Sequence, residues 1–270
     1  ADSDNASITQ PALTVSLRGN AAFHLTVSTL ERASHSGMYG GAAPAAMLAL
    51  IRLLATLWNE DGSVAVDGLT SYRDVPAPDY PLERFREEAA LLDGVRPIGP
   101  GDLHSQMWFE PAITVTGIDA PTVQNASNTL TPSVRVRISA RIAPGQSAAD
   151  GFAALERHLR THAPLGAHLT FEDADLGDPF LVDTSGWAFA EASAAFAEGW
   201  GTEPALQGIG GSIPFIAELA RVFPSAQILV TGVEDPDTRA HSPNESQHLG
   251  VLKRAILGEA LLLERLDRRS

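Results

Sequence analysis

The order of periodicities along these 270 residues predicts two folding units of different class, an α+β unit over 19–180 and an α/β unit from 181 onward. Three observations predict it. Apolar residues alternate with period two at Phe23, Leu25 and Val27, and again over 133–142, the mark of half-buried strands. Apolar residues at helical spacing fill 44–57 and 148–162. From Trp187 the chain instead runs helix, strand, helix, strand, helix, the alternation of a parallel α/β sheet.

Taken in order, residues 11–18 (PALTVSLR) read as a buried strand that stops at Gly19, and 21–29 as the next strand. A glycine-rich stretch, 34–43, precedes Pro44, which suits the first turn of a helix running to Leu57. Residues 59–80 are polar and proline-containing, and 81–92 read as a short charged helix. Strands over 112–115 and 133–142, an amphipathic helix over 148–162 and a strand over 168–172 complete a β-α-β-β-α-β order. The second unit comprises a helix over 188–199, a strand over 205–207, the turn GIGGSIP, a helix over 215–223, a strand over 227–230 and a helix over 247–266. It is too short to close a sheet by itself. Met107, Trp108 and Trp58 read as packing residues.

Composition narrows the function. Thirty-three acidic against nineteen basic residues give a net charge of −14, with no basic patch for a nucleic acid. The absence of cysteine excludes disulfides and thiolate ligands, so any metal must rest on His, Asp and Glu. No apolar run approaches the ~20 residues that span a bilayer, and no signal-peptide pattern is visible, so the expected location is the cytoplasm.

The most informative stretch is 231–248 (TGVEDPDTRAHSPNESQH), an acidic loop between the expected strand 227–230 and the last helix. Loops after the strands of α/β sheets carry ligands. His241 there suits a metal ligand steadied by a nearby carboxylate such as Glu245. The same residues read equally as a helix start, with Ser242 or Asn244 as cap and Glu245 in the first turn.

AHSPNE at 240–245, with GGSIP at 210–214 and HSGMYGG at 35–41, resembles the M20 family of zinc metallopeptidases, and within it the carnosinase-like dipeptidases. The resemblance runs in order over essentially the whole chain. It implies an inserted α+β lid and dimerisation domain at 19–180, flanked by a strand and metal-ligand segment at 1–18 and by the C-terminal portion of a zinc-peptidase α/β catalytic domain at 181–270. It implies a pair of zinc (or manganese) ions, with Asp2 (alternatively Asp4) and His241 as metal ligands and Glu245 behind His241. His35 would reach a partner subunit's site and stabilise the oxyanion. Arg141, in ISARIAP, would hold the substrate carboxylate with Gly211 and Ser212, and Thr129 (or its neighbour Asn128) would lie near that carboxylate. The implied substrates are dipeptides or similar small peptides with a free C-terminal carboxylate, and the implied partner is a second copy of the chain.

The family's His-x-Asp motif, bridging Asp and Glu-Glu pair have no counterpart here, since Glu87-Glu88 sits on the charged helix. The chain is therefore expected to be the C-terminal part of a longer enzyme, inactive and a weak zinc binder alone, with the N-terminal part as a candidate separate chain. An aminoacylase or N-acyl-amino-acid deacylase activity, or a non-catalytic dimerisation role, stands as the alternative.

Overall fold

The alternation at 21–27 is satisfied by a sheet with one apolar face. In the computed structural model, which describes residues 3–72, 80–211 and 213–268, the chain starts with β1 (Ala12–Leu17), β2 (Gly19–Ser28), the two-residue β3 (Ser34–His35) and a single helical turn α1 (Ser36–Tyr39). Helices α2 (Ala46–Ala55), α3 (Leu82–Glu88) and α4 (Leu103–Trp108) follow, then β4 (Ala112–Asp119), β5 (Thr129–Leu130) and β6 (Ser133–Ile142). Next come α5 (Ala148–Thr161), β7 (His168–Gly177), β8 (Phe180–Leu181), α6 (Trp187–Trp200), β9 (Ala205–Ile209), α7 (Pro214–Val222) and α8 (Leu249–Asp267).

A four-stranded antiparallel sheet has the order β4-β6-β2-β7. Phe23 pairs with Ile138, and Leu25 with Val136 and Phe171, so the apolar set of each strand lies on one face. Helices α2 and α5 cover that face, and Leu50, Leu53, Leu57, Leu155 and Leu159 are fully buried there. Each such side chain contributes roughly 1.5–3 kcal/mol on burial. Helix α5 starts at Ser147, whose side chain accepts from the Asp150 N–H. The opposite face of the sheet is polar, with Asn20, His24, Thr26, Arg135, Arg137 and Arg141.

The second sheet has the order β8-β1-β9, with β1 parallel to β9 (Leu13 opposite Leu206) and antiparallel to β8. Its core joins Leu13, Val182, Phe189, Phe196, Trp200 and Val251 under α6 and α8. These helices touch where Gly199 meets Gly258; a Cβ on Gly199 would lie 3.0 Å from the Gly258 nitrogen. Two strands cross between the sheets side by side. A Cβ at Gly19 would stand 2.8 Å from both the Gly177 carbonyl and the Pro179 ring. The mixed α/β and α+β architecture expected from the sequence is the one observed.

Several local expectations change. Residues 227–230 form no strand; they contribute one isolated bridge, Thr14 to Val230, with the Thr14 N–H bonded to the Val230 carbonyl at 3.1 Å. Gln227 instead caps α6, its side-chain oxygen accepting from the Ala188 N–H at 2.9 Å. Helix α8 starts at Leu249, capped by His248 rather than by Ser242 or Asn244, with His248 Nδ1 accepting from the Val251 N–H. Pro44 precedes the N-cap Ala45 and so lies outside α2. Among the described residues no helix is long and apolar enough to cross a membrane.

Candidate active site

Residues 3–5 dock onto the start of the 231–248 loop. The Asn5 N–H bonds the Glu234 carbonyl at 2.9 Å, while its side-chain amide donates to the Gly232 and Glu234 carbonyls. The approach requires glycine at 232, because a Cβ there would lie 1.7 Å from the Ser3 carbonyl oxygen. Docking places the Asp4 carboxylate in the wall of a cavity of about 930 Å³, facing Glu234, Asp235 and Asp237. Gln207 donates to Asp4 Oδ1 at 2.8 Å, yet burial dominates and holds this carboxyl above the usual carboxylate range. Asp2 lies outside the described residues.

The same loop carries His241. Within six residues Arg239, His241 and Asn244 all adopt left-handed backbone, with φ of 57°, 59° and 62°. Such conformations in non-glycine residues persist only where surrounding contacts impose them. Here Asp235 and Thr238 bond each other's backbone, the Ser246 N–H bonds the Thr238 carbonyl, and Gln247 reaches the Val233 carbonyl at 2.7 Å. Glu245 is exposed, and among the described residues its carboxylate makes no hydrogen bond. Oxygen and imidazole donors suit a divalent ion in kind. In number they fall short: among the described residues no three His, Asp or Glu side chains group to hold a metal. These residues alone do not form a metal site.

The wall opposite the loop comes from α3. Arg84 and Glu88 line the cavity, and Glu88 is engaged by Arg84 at 2.7 Å and by the Tyr80 hydroxyl. The charged helix thus reaches the Asp4 cavity, which its sequence did not signal. With both oxygens committed, Glu88 is a structural carboxylate.

His35 and Thr129 are direct partners in the β3–β5 ribbon, and the Ser36 N–H bonds the Asn128 carbonyl at 2.9 Å. Both side chains are exposed. His35 Nδ1 accepts from the Gly37 N–H at 3.1 Å, so the neutral ring carries its proton on Nε2, pointing away from the backbone. Met38 and Tyr39 beside it are 72% and 53% exposed. Thr129 Oγ1 shares a hydrogen bond with Ser127. Arg141 lies on the polar face of β6 opposite Asn20. The ribbon adjoins the Ser133 end of β6, and eight residue steps separate that end from Arg141, about 26 Å at strand rise.

At the Arg141 end lies a residue that no motif marked. Arg18, between β1 and β2, is only 8% exposed. Its Nε donates to the Gly210 carbonyl at 3.0 Å, and Nη1 donates to the Gln106 and Glu110 carbonyls at 3.2 and 3.1 Å. Burial, and then the charge of Arg141, pull its pKa down to about 10. The only available signal was a lone arginine closing an apolar strand. The turn it grips, Gly210-Gly211, precedes α7; Ser212 lies outside the described residues. Gly208 and Gly210 allow α4 to approach β9, since a Cβ on Gly208 would meet the Trp108 Cβ at 2.5 Å and one on Gly210 the Met107 carbonyl at 3.0 Å.

The family model described as the peptidase dimerisation domain of the M20 family matches residues 15–167. The chain is 34% identical over 268 residues to the cysteinylglycine-S-conjugate dipeptidase of Corynebacterium striatum, covering 97% of this chain and 58% of that protein. In fold it resembles human carnosine dipeptidase 1 (TM-score 0.74, 22% identity, 97% of this chain and 58% of that one). It also resembles an M20 family metallo-carboxypeptidase of Sulfolobus solfataricus (TM-score 0.79, 16% identity, 97% and 61%). The chain spans little more than half the length of the curated relatives it matches. The matched dimerisation domain covers more than half of these residues, and the chain belongs to the M20 peptidases.

Proposed function

We propose that the whole protein is a metal-dependent dipeptidase acting on small peptides with a free C-terminal carboxylate, and that its working form is a homodimer. The observation that carries this reading is the ~26 Å of β6 between the His35–Thr129 ribbon and Arg141. That distance exceeds a dipeptide several-fold, so the two ends serve one substrate only when they come from different protomers. The similarity to dipeptidases supports the substrate class.

In this reading Arg141 holds the C-terminal carboxylate through its planar fork of donors, helped by Gly211 and Ser212. The partner's ribbon then brings His35 and Thr129 over the scissile bond. His35 Nε2–H donates to the carbonyl oxygen as charge develops on it, a role worth about 2.7–4 kcal/mol for a well-placed donor. Asp4, as the described alternative to Asp2, and His241 are the ligands this chain would offer toward two zinc or manganese ions. The remaining ligands and the general base lie outside these 270 residues. Residues 19–180 act as the lid and dimerisation unit, flanked by catalytic-domain segments 1–18 and 181–270, a division supported by the apolar core of the four-stranded sheet being separate from those of the second sheet. The same reading takes the cytoplasm as the protein's setting.

Hybrid dimers test the arrangement. Whole-enzyme variants His35→Ala and Arg141→Ala, each nearly inactive alone, are co-expressed. If the site is shared, half of the dimers are mixed and each mixed dimer holds one intact site, so about a quarter of wild-type activity returns. Recovery of none, with mixed dimers present by mass spectrometry, would refute the shared site.

A further inference from the structure

We infer that Arg18 is a positioning residue for recognition of the substrate carboxylate, coupling the lid helix α4 to the Gly210-Gly211 turn; this rests on the reading of Arg141 and that turn given above. A buried guanidinium normally faces a carboxylate, because an uncompensated buried charge is costly. Arg18 has none. Its recorded partners are three main-chain carbonyls from two places far apart in sequence, Gln106 and Glu110 around the C-terminal end of α4 and Gly210 in the turn. Carbonyls at a helix C-terminus carry partial negative charge and suit a cation, but they leave most of the positive charge uncancelled. Among the described residues Nη2 makes no hydrogen bond, and it lies 2.8 Å from where a Gly210 Cβ would stand. Arg141 stands near enough to depress Arg18 electrostatically.

The junction of the two sheets therefore holds two guanidinium groups and a glycine turn leading into α7, an arrangement that attracts an anion and fixes where it sits. Arg18 does not touch the substrate. It sets the distance between the turn and α4, and with it the alignment of the turn's N–H groups against Arg141. The Arg fork is needed because Nε and Nη1 serve carbonyls in two directions at once, which a single ammonium on a flexible stem does poorly.

The test uses the whole enzyme and two substrates, a dipeptide and the same dipeptide with its C-terminal carboxylate converted to an amide. Wild type is expected to prefer the free acid. Arg18→Gln is expected to lower that preference about tenfold, through KM for the acid, while kcat for either substrate changes little. Arg18→Lys restores part of it. Gly210→Ala, which pushes against Nη2, reproduces the loss and serves if Arg18→Gln shows no cooperative melting transition. Equal losses on acid and amide, or no loss in either variant, would overturn the role of Arg18. Arg141→Lys is the control. If it keeps the acid preference, the carboxylate reading of Arg141 fails together with this proposal. If it loses the preference while both the Arg18→Gln and Gly210→Ala variants keep it, only the Arg18 inference fails.

Discussion

At Asp4 the protein carries a carboxylate in a place that disfavours its charge. Its pKa is raised in the folded state, chiefly by burial. A raised pKa means that its contribution to stability is complete below the unfolded value, near 3.8, and is lost as pH rises through the folded one. Asp4→Asn keeps the acceptor for Gln207 and removes the charge. It is therefore expected to melt higher than wild type at pH 7, by about 2–4 °C for each kcal/mol relieved, with the difference closing toward pH 4 in thermal melts of the 270-residue chain. A lower melting temperature at pH 7 would show that the charge is well solvated. Arg141 differs, since the role proposed for it is in binding. Arg141→Lys is expected to raise KM and lower kcat/KM by about 1.5–3 kcal/mol with dipeptide substrates, and unchanged kinetics would make it structural.

Among the elements, α2 and α5 meet over a titratable pair. His158 is buried, its Nε2 lies 3.0 Å from the Thr56 hydroxyl, and its ring stacks on His162 at 4.1 Å. Burial first, and the neighbouring His162 second, lower its pKa, while the Thr56 bond and Asp67 oppose them more weakly. A lowered histidine pKa gives stability that is full above the ordinary value near 6.5 and lost as pH falls through the folded one. Denaturant unfolding should therefore weaken below pH 6.5 with a slope of at most about 1.4 kcal/mol per pH unit from this group. His158→Gln should remove that component, and an unaltered acid limb would exclude it. At the other contact, Gly208→Ala drives a methyl group into Trp108 and Ser16, and a loss of about 1–3 kcal/mol is expected in the same experiment.

These elements also show what could be read from the chain. The ten-residue β2 and β6 and the long α5 and α6 are visible as period-two or helical patterns because one face of each is buried. Edge strands β4 and β7 extend four and five residues beyond their apolar signal, where both faces meet solvent and alternation carries no information. Helix α4 has six residues, too few for periodicity, and is held by Asp102 capping Ser105 and by Arg18. The 227–230 run is apolar like a strand, but Gln227 caps α6 instead. His35 and Thr129 were legible singly by resemblance, whereas their pairing across β3–β5 depends on register that no local pattern encodes. Arg18 escaped because its partners are backbone carbonyls 88 to 192 residues away.

At the scale of the whole molecule, the proposed reading gives this chain the groups that grip a substrate, while among the described residues no three His, Asp or Glu side chains group to hold a metal. Met38 and Tyr39 beside His35, and Leu48 and Ile51 on α2, are exposed apolar side chains, of the kind the proposed dimer would cover. Light scattering of the 270-residue chain at high concentration is expected to give the mass of a dimer, and a clean monomer would count against the shared site. The central claim, that substrate recognition resides here and the metal chemistry is completed by residues beyond these, is tested most directly by zinc titration calorimetry paired with a dipeptidase assay on this chain alone. A catalytic zinc takes about three protein ligands and a water, and the described residues group no three. The expected result is weak zinc binding without defined stoichiometry and no turnover above background. Tight binding of two ions per chain with robust hydrolysis would contradict it.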